Sequence, residues 1–127
     1  IPHGPNYLLG LRDVRGQGVP VIDLRLRLGM SQTQKTPHTR ILVIDVTIAG
    51  RALSLGLVAD RVFEVTSFRN DAIEAAPDIG VSWQSDYIAG VVRRASDFVV
   101  IVNLTKLFSG TDARAISSVA TKSLEYA

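Results

Sequence analysis

The strongest constraint on this 127-residue chain is that it states one pattern twice. Tyr7 to Gly29 reads YLLGLRDVRGQGVPVIDLRLRLG, and 80 positions further on Tyr87 to Ser109 reads YIAGVVRRASDFVVIVNLTKLFS, with no gap needed. Tyr7 pairs with Tyr87, Gly10 with Gly90, Val19 with Val99, Ile22 with Val102, Asp23 with Asn103 and Leu24 with Leu104. A self-similar period dictates architecture before any local propensity does, and here it implies two related half-domains.

Each copy has the same physical grammar. A branched run reaches Gly10 or Gly90, a polar turn follows (Arg15-Gly16-Gln17-Gly18 or Ala95-Ser96-Asp97), and then comes a solidly apolar strand, Val19 to Ile22 or Phe98 to Val102. Turn residues between two β-branched runs signal a hairpin. Asp23 and Asn103 stand where a strand ends, and their side chains suit helix caps. Leu24 with Leu28, and Leu104 with Leu107 and Phe108, recur at helical spacing and would close a barrel end.

Between the copies, Ser31 to Thr39 is polar with a proline and reads as a flexible connection. Strands are expected at Arg40 to Ile48, Ala52 to Val58 and Val62 to Phe68, the first two joined by a turn at Ala49-Gly50-Arg51. Asp71 to Ser85 reads as a long loop. After the second copy, Ser109-Gly110-Thr111-Asp112 can cap a helix whose stripe is Ile116, Val119, Ala120 and Leu124. The expectation is one all-β domain: residues 1–30 a partial first barrel, 31–39 a connection, 40–110 a second barrel and 111–127 a C-terminal helix.

Chemistry is thin. The 14 basic and 12 acidic residues give a net charge of +2, and only Arg93 and Arg94 are adjacent cations, which argues against nucleic acid. Without cysteine there is no disulfide framework and no thiolate metal site, and a cytoplasmic setting is expected. No apolar run approaches the roughly 20 residues that span a bilayer, and no signal peptide is expected. Beginning at Ile1 rather than Met, the chain reads as a fragment, a processed product or the ordered part of something longer.

His3 and His38 lie beside prolines with no partner at ligand spacing, and no serine has a GxSxG setting. Arg15-Gly16-Gln17-Gly18 lies between strands and does not open a helix, so it fails as a phosphate loop. The acids Asp45, Asp60, Glu64, Asp71, Glu74 and Asp78 form no pair on one face. The expectation is binding without catalysis: no catalytic residue, no metal and no cofactor.

The segment GLRDVRGQGVPVIDLRLRLG resembles the signature of the CheW-like domain family, G-V-x-N-L-R-G-x-x-x-P-V-x-D-L ahead of a short helix. LGLVADRVFEV at Leu55 to Val65, Ile73 before Ala76-Pro77, and YIAGVV at Tyr87 to Val92 follow in the family's order, so the resemblance covers essentially the whole chain. Asp13-Val14-Arg15-Gly16 replaces the usual Asn-Leu-Arg-Gly but keeps the Arg and Gly.

The resemblance implies two small five-stranded barrels of the Src-homology-3 type, packed together. It implies an adaptor that couples the cytoplasmic tip of a methyl-accepting chemoreceptor to a CheA-type histidine kinase, in the cytoplasm at membrane-associated arrays. The chain is similar as well to the CheA regulatory domain and the CheV front domain, so a module of a larger protein is the alternative. Carried over by position, a receptor-facing groove between the barrels involves Gly10, Arg15, Gly56, Val62 and Val65, and kinase contact falls near Asp71 to Val81, at Ile79.

The repeat adds one expectation. Copy two is preceded by three strand candidates, whereas copy one has only Ile1 to Asn6 ahead of it. The first barrel should then lack its opening strands and leave Leu8 to Leu11 and Val19 to Ile22 with open edges. Strands upstream of Ile1, or another chain in a swapped homodimer, would fill the gap.

Overall fold

The computed structural model describes residues 4–75 and 86–125, with side chains as far as residue 119. The first repeat forms strands β1 (Leu8–Val14) and β2 (Gln17–Asp23). Arg15 and Gly16 turn the hairpin with positive φ of 54° and 82°, a left-handed pair whose twist matches that of the flanking strands. Asp13 Oδ1 accepts from the Gly16 N–H at 3.0 Å and steadies it.

The repeat persists in hydrogen-bond detail. A β-bulge falls between Leu8 and Gly10 in copy one and between Ile88 and Gly90 in copy two. The Asp23 N–H donates to the Tyr7 carbonyl at 2.8 Å, and the Asn103 N–H to the Tyr87 carbonyl at 2.7 Å. Both cap residues act as expected. Asp23 starts α1 (Leu24–Arg27) by accepting from the N–H groups of Arg25 and Leu26. Asn103 starts α2 (Leu104–Leu107) by accepting from that of Lys106.

Strands β3 (Arg40–Ile48) and β4 (Arg51–Ala59) join through a two-residue turn at Ala49 and Gly50. Their allocation corrects the sequence reading, which put residues 40–58 in the second barrel. They complete the first half instead, in a sheet of order β1-β2-β4-β3, with β2 parallel to β4. The physical reason is burial on both faces. Val19, Pro20, Val21 and Ile22 of β2 and Leu55, Leu57 and Val58 of β4 are all buried. Runs of that kind suit the inside of a sheet, where each strand has a neighbour on either side, and a hairpin partner supplies only one. Val19 to Ile22 is therefore an interior strand, and the free edges of this sheet among the described residues are β1 and β3.

Copy two supplies β6 (Ile88–Arg93) and β7 (Phe98–Val102), joined by the short β5 (Ile73–Glu74) in a sheet of order β5-β6-β7. That short strand lies within the stretch read as a loop. Val62 to Phe68, read as a strand, is neither helix nor strand.

The chain divides into two compact units, residues 1–63 with 109–127, and residues 64–108. In the first, α3 (Gly110–Glu125) packs on β1 and β2, burying Ala113 and Ile116. Its start is a reciprocal capping box: the Ser109 N–H donates to Asp112 Oδ2 at 2.6 Å and the Asp112 N–H to Ser109 Oγ at 3.1 Å. In the second unit, Val91, Val92, Leu107 and Phe108 are buried.

A cation-rimmed cleft as the candidate functional site

Strand register gathers two of the residues singled out by sequence. Gly10 lies opposite Val21, Val21 opposite Gly56, and Gly56 opposite Val43, so the four form one row across the first sheet. Two strand spacings put Gly10 and Gly56 about 10 Å apart. Glycine at 56 is imposed by packing: a Cβ there would lie 2.9 Å from Ile41 Cγ2 and 3.5 Å from Val21 Cγ2. Gly10, at the bulge with φ of 155°, would place a Cβ in open space.

Gly56 lines a cleft of about 660 Å³, within the range of protein ligand sites, and Gly10 stands outside that lining. The apolar lining comes from Leu9, Val14, Val19, Val21, Ile41, Val43 and Val58, and three cations, Arg12, Lys35 and Arg40, stand among them. Sequence reasoning missed these cations because they are scattered along the chain. Strand pairing and the return of the 31–39 connection bring them to one place.

The single acid in the lining, Asp23, is fully buried and spoken for. Beyond its capping bonds it accepts from the Thr33 N–H at 3.0 Å and the Thr33 hydroxyl at 2.7 Å. Burial pushes its carboxyl upward in pKa. The donors on Thr33, Leu26 and Arg25 outweigh that and hold it below the usual carboxylate range. It is a clamp on the connection, not a free base. Arg25 holds the same connection by donating to the Ser31 carbonyl at 3.0 Å, and it also pairs with Asp60 at 2.9 Å.

A second polar group fastens α3 to the start of β1. The Tyr7 hydroxyl donates to Asp112 Oδ1, and Arg27 stands 3.9 Å from Asp112 Oδ2 and 5.7 Å from the centre of the Tyr7 ring. Burial, then the bond to Asp112, raises the Tyr7 phenol well above its ordinary pKa. Asp112 is lowered: burial opposes, but Tyr7, Ser109 and the Arg27 charge prevail. Tyr7 was legible only as half of a repeated pair, since its contact lies 105 residues away.

Of the remaining expected site residues, Arg15 is exposed at the β1–β2 tip. Val62, 41% exposed, belongs to the first unit, and Val65, fully exposed, to the second. Ile79 lies outside the described residues. Among the described residues, no three His, Asp or Glu side chains gather as a metal site.

The family model of the CheW-like domain matches residues 1–112. The chain belongs to the CheW-like domain family. A probable chemotaxis protein CheW of Rhizobium etli is 30% identical over 115 residues, covering 91% of this chain and 72% of that protein. A chemotaxis protein CheW of Klebsiella aerogenes is 27% identical over 120 residues, covering 94% and 70%. Among solved structures, the scaffolding protein TtCheW of Thermoanaerobacter tengcongensis superposes with a TM-score of 0.69 at 29% identity, over 88% of this chain and 73% of that one. The CheW-like signature now has a physical reading in this chain. Its glycine is the β1 bulge, its Arg-Gly the left-handed hairpin turn, and its Asp the cap and clamp of α1.

Proposed function

We propose that the chain is a non-catalytic adaptor of chemotaxis-type signalling, coupling the cytoplasmic tip of a methyl-accepting chemoreceptor to a CheA-type histidine kinase. Family membership sets the class. The observation that carries the reading is the glycine-floored cleft, with an apolar lining, cations at its rim, and a lone carboxylate already committed to structure. Such a surface suits an apolar helical partner better than a reacting substrate, because glycine lets the partner approach closely. Gly10, Arg15, Gly56, Val62 and Val65 are the receptor-facing residues on this reading, and Ile79 is the kinase contact. The setting is cytoplasmic, at membrane-associated arrays. A second copy of the chain is the remaining partner.

The test is co-sedimentation with receptor cytoplasmic fragments assembled on vesicles, with and without the kinase. The chain is expected in the pellet only with receptor or kinase, and Arg15→Ala should lower receptor-dependent recovery while leaving the fold intact. A wild-type chain that stays in the supernatant throughout overturns the adaptor reading. Equal recovery of Arg15→Ala overturns the role of Arg15.

A further inference from the structure

The cleft of the first unit holds an imbalance of charge. Arg12, Lys35 and Arg40 line it, and none of the three makes an ion pair among the described residues. The acid in the lining, Asp23, already accepts from the N–H groups of Arg25, Leu26 and Thr33 and from the Thr33 hydroxyl. The lining therefore offers its cations no carboxylate.

Lys35 belongs to the 31–39 connection and Arg40 directly follows it, and the connection is fastened on both sides of Lys35. Before it, Asp23 holds Thr33 and Arg25 holds the Ser31 carbonyl. After it, Thr39 Oγ1 accepts from the Thr36 N–H at 2.8 Å, and Arg40 Nη1 donates to the carbonyls of Pro37 and Thr39, both at 2.9 Å. The other guanidinium nitrogens of Arg40 make no hydrogen bond among the described residues.

A partner that closed this cleft with apolar side chains alone would strip water from three charges and return nothing, which is strongly unfavourable. A helix can meet both demands on one face, because residues three or four apart are neighbours there. An apolar side chain and a carboxylate at that spacing enter the cleft together, one against Val19, Val21 and Val58, the other at the cations.

We propose that the connection is the specificity loop of the receptor-facing groove. Lys35 and Arg40, with Arg12, select a receptor tip whose docking helix carries a carboxylate three or four residues from an apolar side chain that enters the cleft. A tip without that acid is rejected by the cost of desolvating the cations, and a tip with a base in its place is repelled. This rests on the reading of the cleft as receptor-facing and names the feature it recognises.

Co-sedimentation with receptor cytoplasmic fragments on vesicles of zwitterionic lipid, without kinase, tests it. Raising the salt from about 50 to about 500 mM should weaken binding of the unaltered chain at least about tenfold. Lys35→Glu, at an exposed loop position, should weaken binding at least about tenfold at the lower salt and flatten the salt dependence, with Lys35→Gln between. Arg51→Glu changes the net charge equally, at an exposed position of β4 outside the cleft lining, and should bind like the unaltered chain. Matching urea midpoints separate a lost contact from a lost fold. Binding that ignores salt, or Lys35→Glu and Arg51→Glu chains that bind alike, overturns this proposal and leaves the adaptor reading standing. An unaltered chain that the receptor fragments recover at neither salt overturns the receptor-facing reading, and this proposal with it.

Discussion

Gly56 shows how a single hydrogen can set a surface. Ile41 and Val21 already fill the space a Cβ would take, and the β-branched Ile41 has little freedom to yield. Gly56→Ala is expected to cost about 1–3 kcal/mol by overpacking, read as a shift in the urea midpoint at constant slope. An unchanged midpoint would show that the row relaxes freely. Arg15 behaves oppositely: exposed and already at positive φ, it gives way to another L-residue with the same backbone cost. Arg15→Ala should change stability by less than about 0.5 kcal/mol. From sequence, Gly10 and Gly56 stood out as small residues in strand-like runs. That one row holds both could not be read, because it depends on two long-range pairings.

At the scale of elements, the repeat made both hairpins and both caps legible, and its own capping residues did the same for the C-terminal helix, because turn chemistry and capping are local. The partners of β3 and β4 were not legible. Adjacency in the repeat assigned them forward to copy two, whereas two-sided burial of β2 and β4 draws them back to copy one. The expected strand at Val62 to Phe68 is absent for a related reason: alternation marks a segment as able to pair, and it pairs with no strand among the described residues.

The anchoring of α3 gives a prediction of its own. Asp112→Ala removes a cap and the acceptor of a buried phenol together, so a loss of about 1–3 kcal/mol is expected. Tyr7→Phe should cost less, and the two losses should be non-additive in a double-mutant cycle.

The same group sets the pH response. Asp23 and Asp112 are held below the ordinary carboxylate range, so their stabilisation is complete above about pH 4 and declines as pH falls further. Tyr7 is raised, so its contribution is complete below about pH 10 and declines above it. Urea midpoints across pH 3 to 7 should fall less steeply for Asp112→Asn than for the unaltered chain. Parallel curves would exclude Asp112 as a source of acid sensitivity.

At the scale of the whole molecule, the family was legible because its signature is itself a folding instruction: bulge, left-handed turn, apolar strand and cap lie within Tyr7 to Gly29. The cleft was only half legible. Its glycine, Gly56, lies in a recognised segment, while Arg12, Lys35 and Arg40 are scattered along the chain and meet only after folding. The proposed adaptor role is for this surface to transmit control between two other proteins without a reaction of its own. Its most direct test measures autophosphorylation of a CheA-type kinase on vesicles bearing receptor cytoplasmic fragments, with and without the purified chain. Receptor-dependent kinase control that appears only when the chain is present, and is weakened by Arg15→Ala, is the result predicted. The same kinase activity with and without the chain would contradict it.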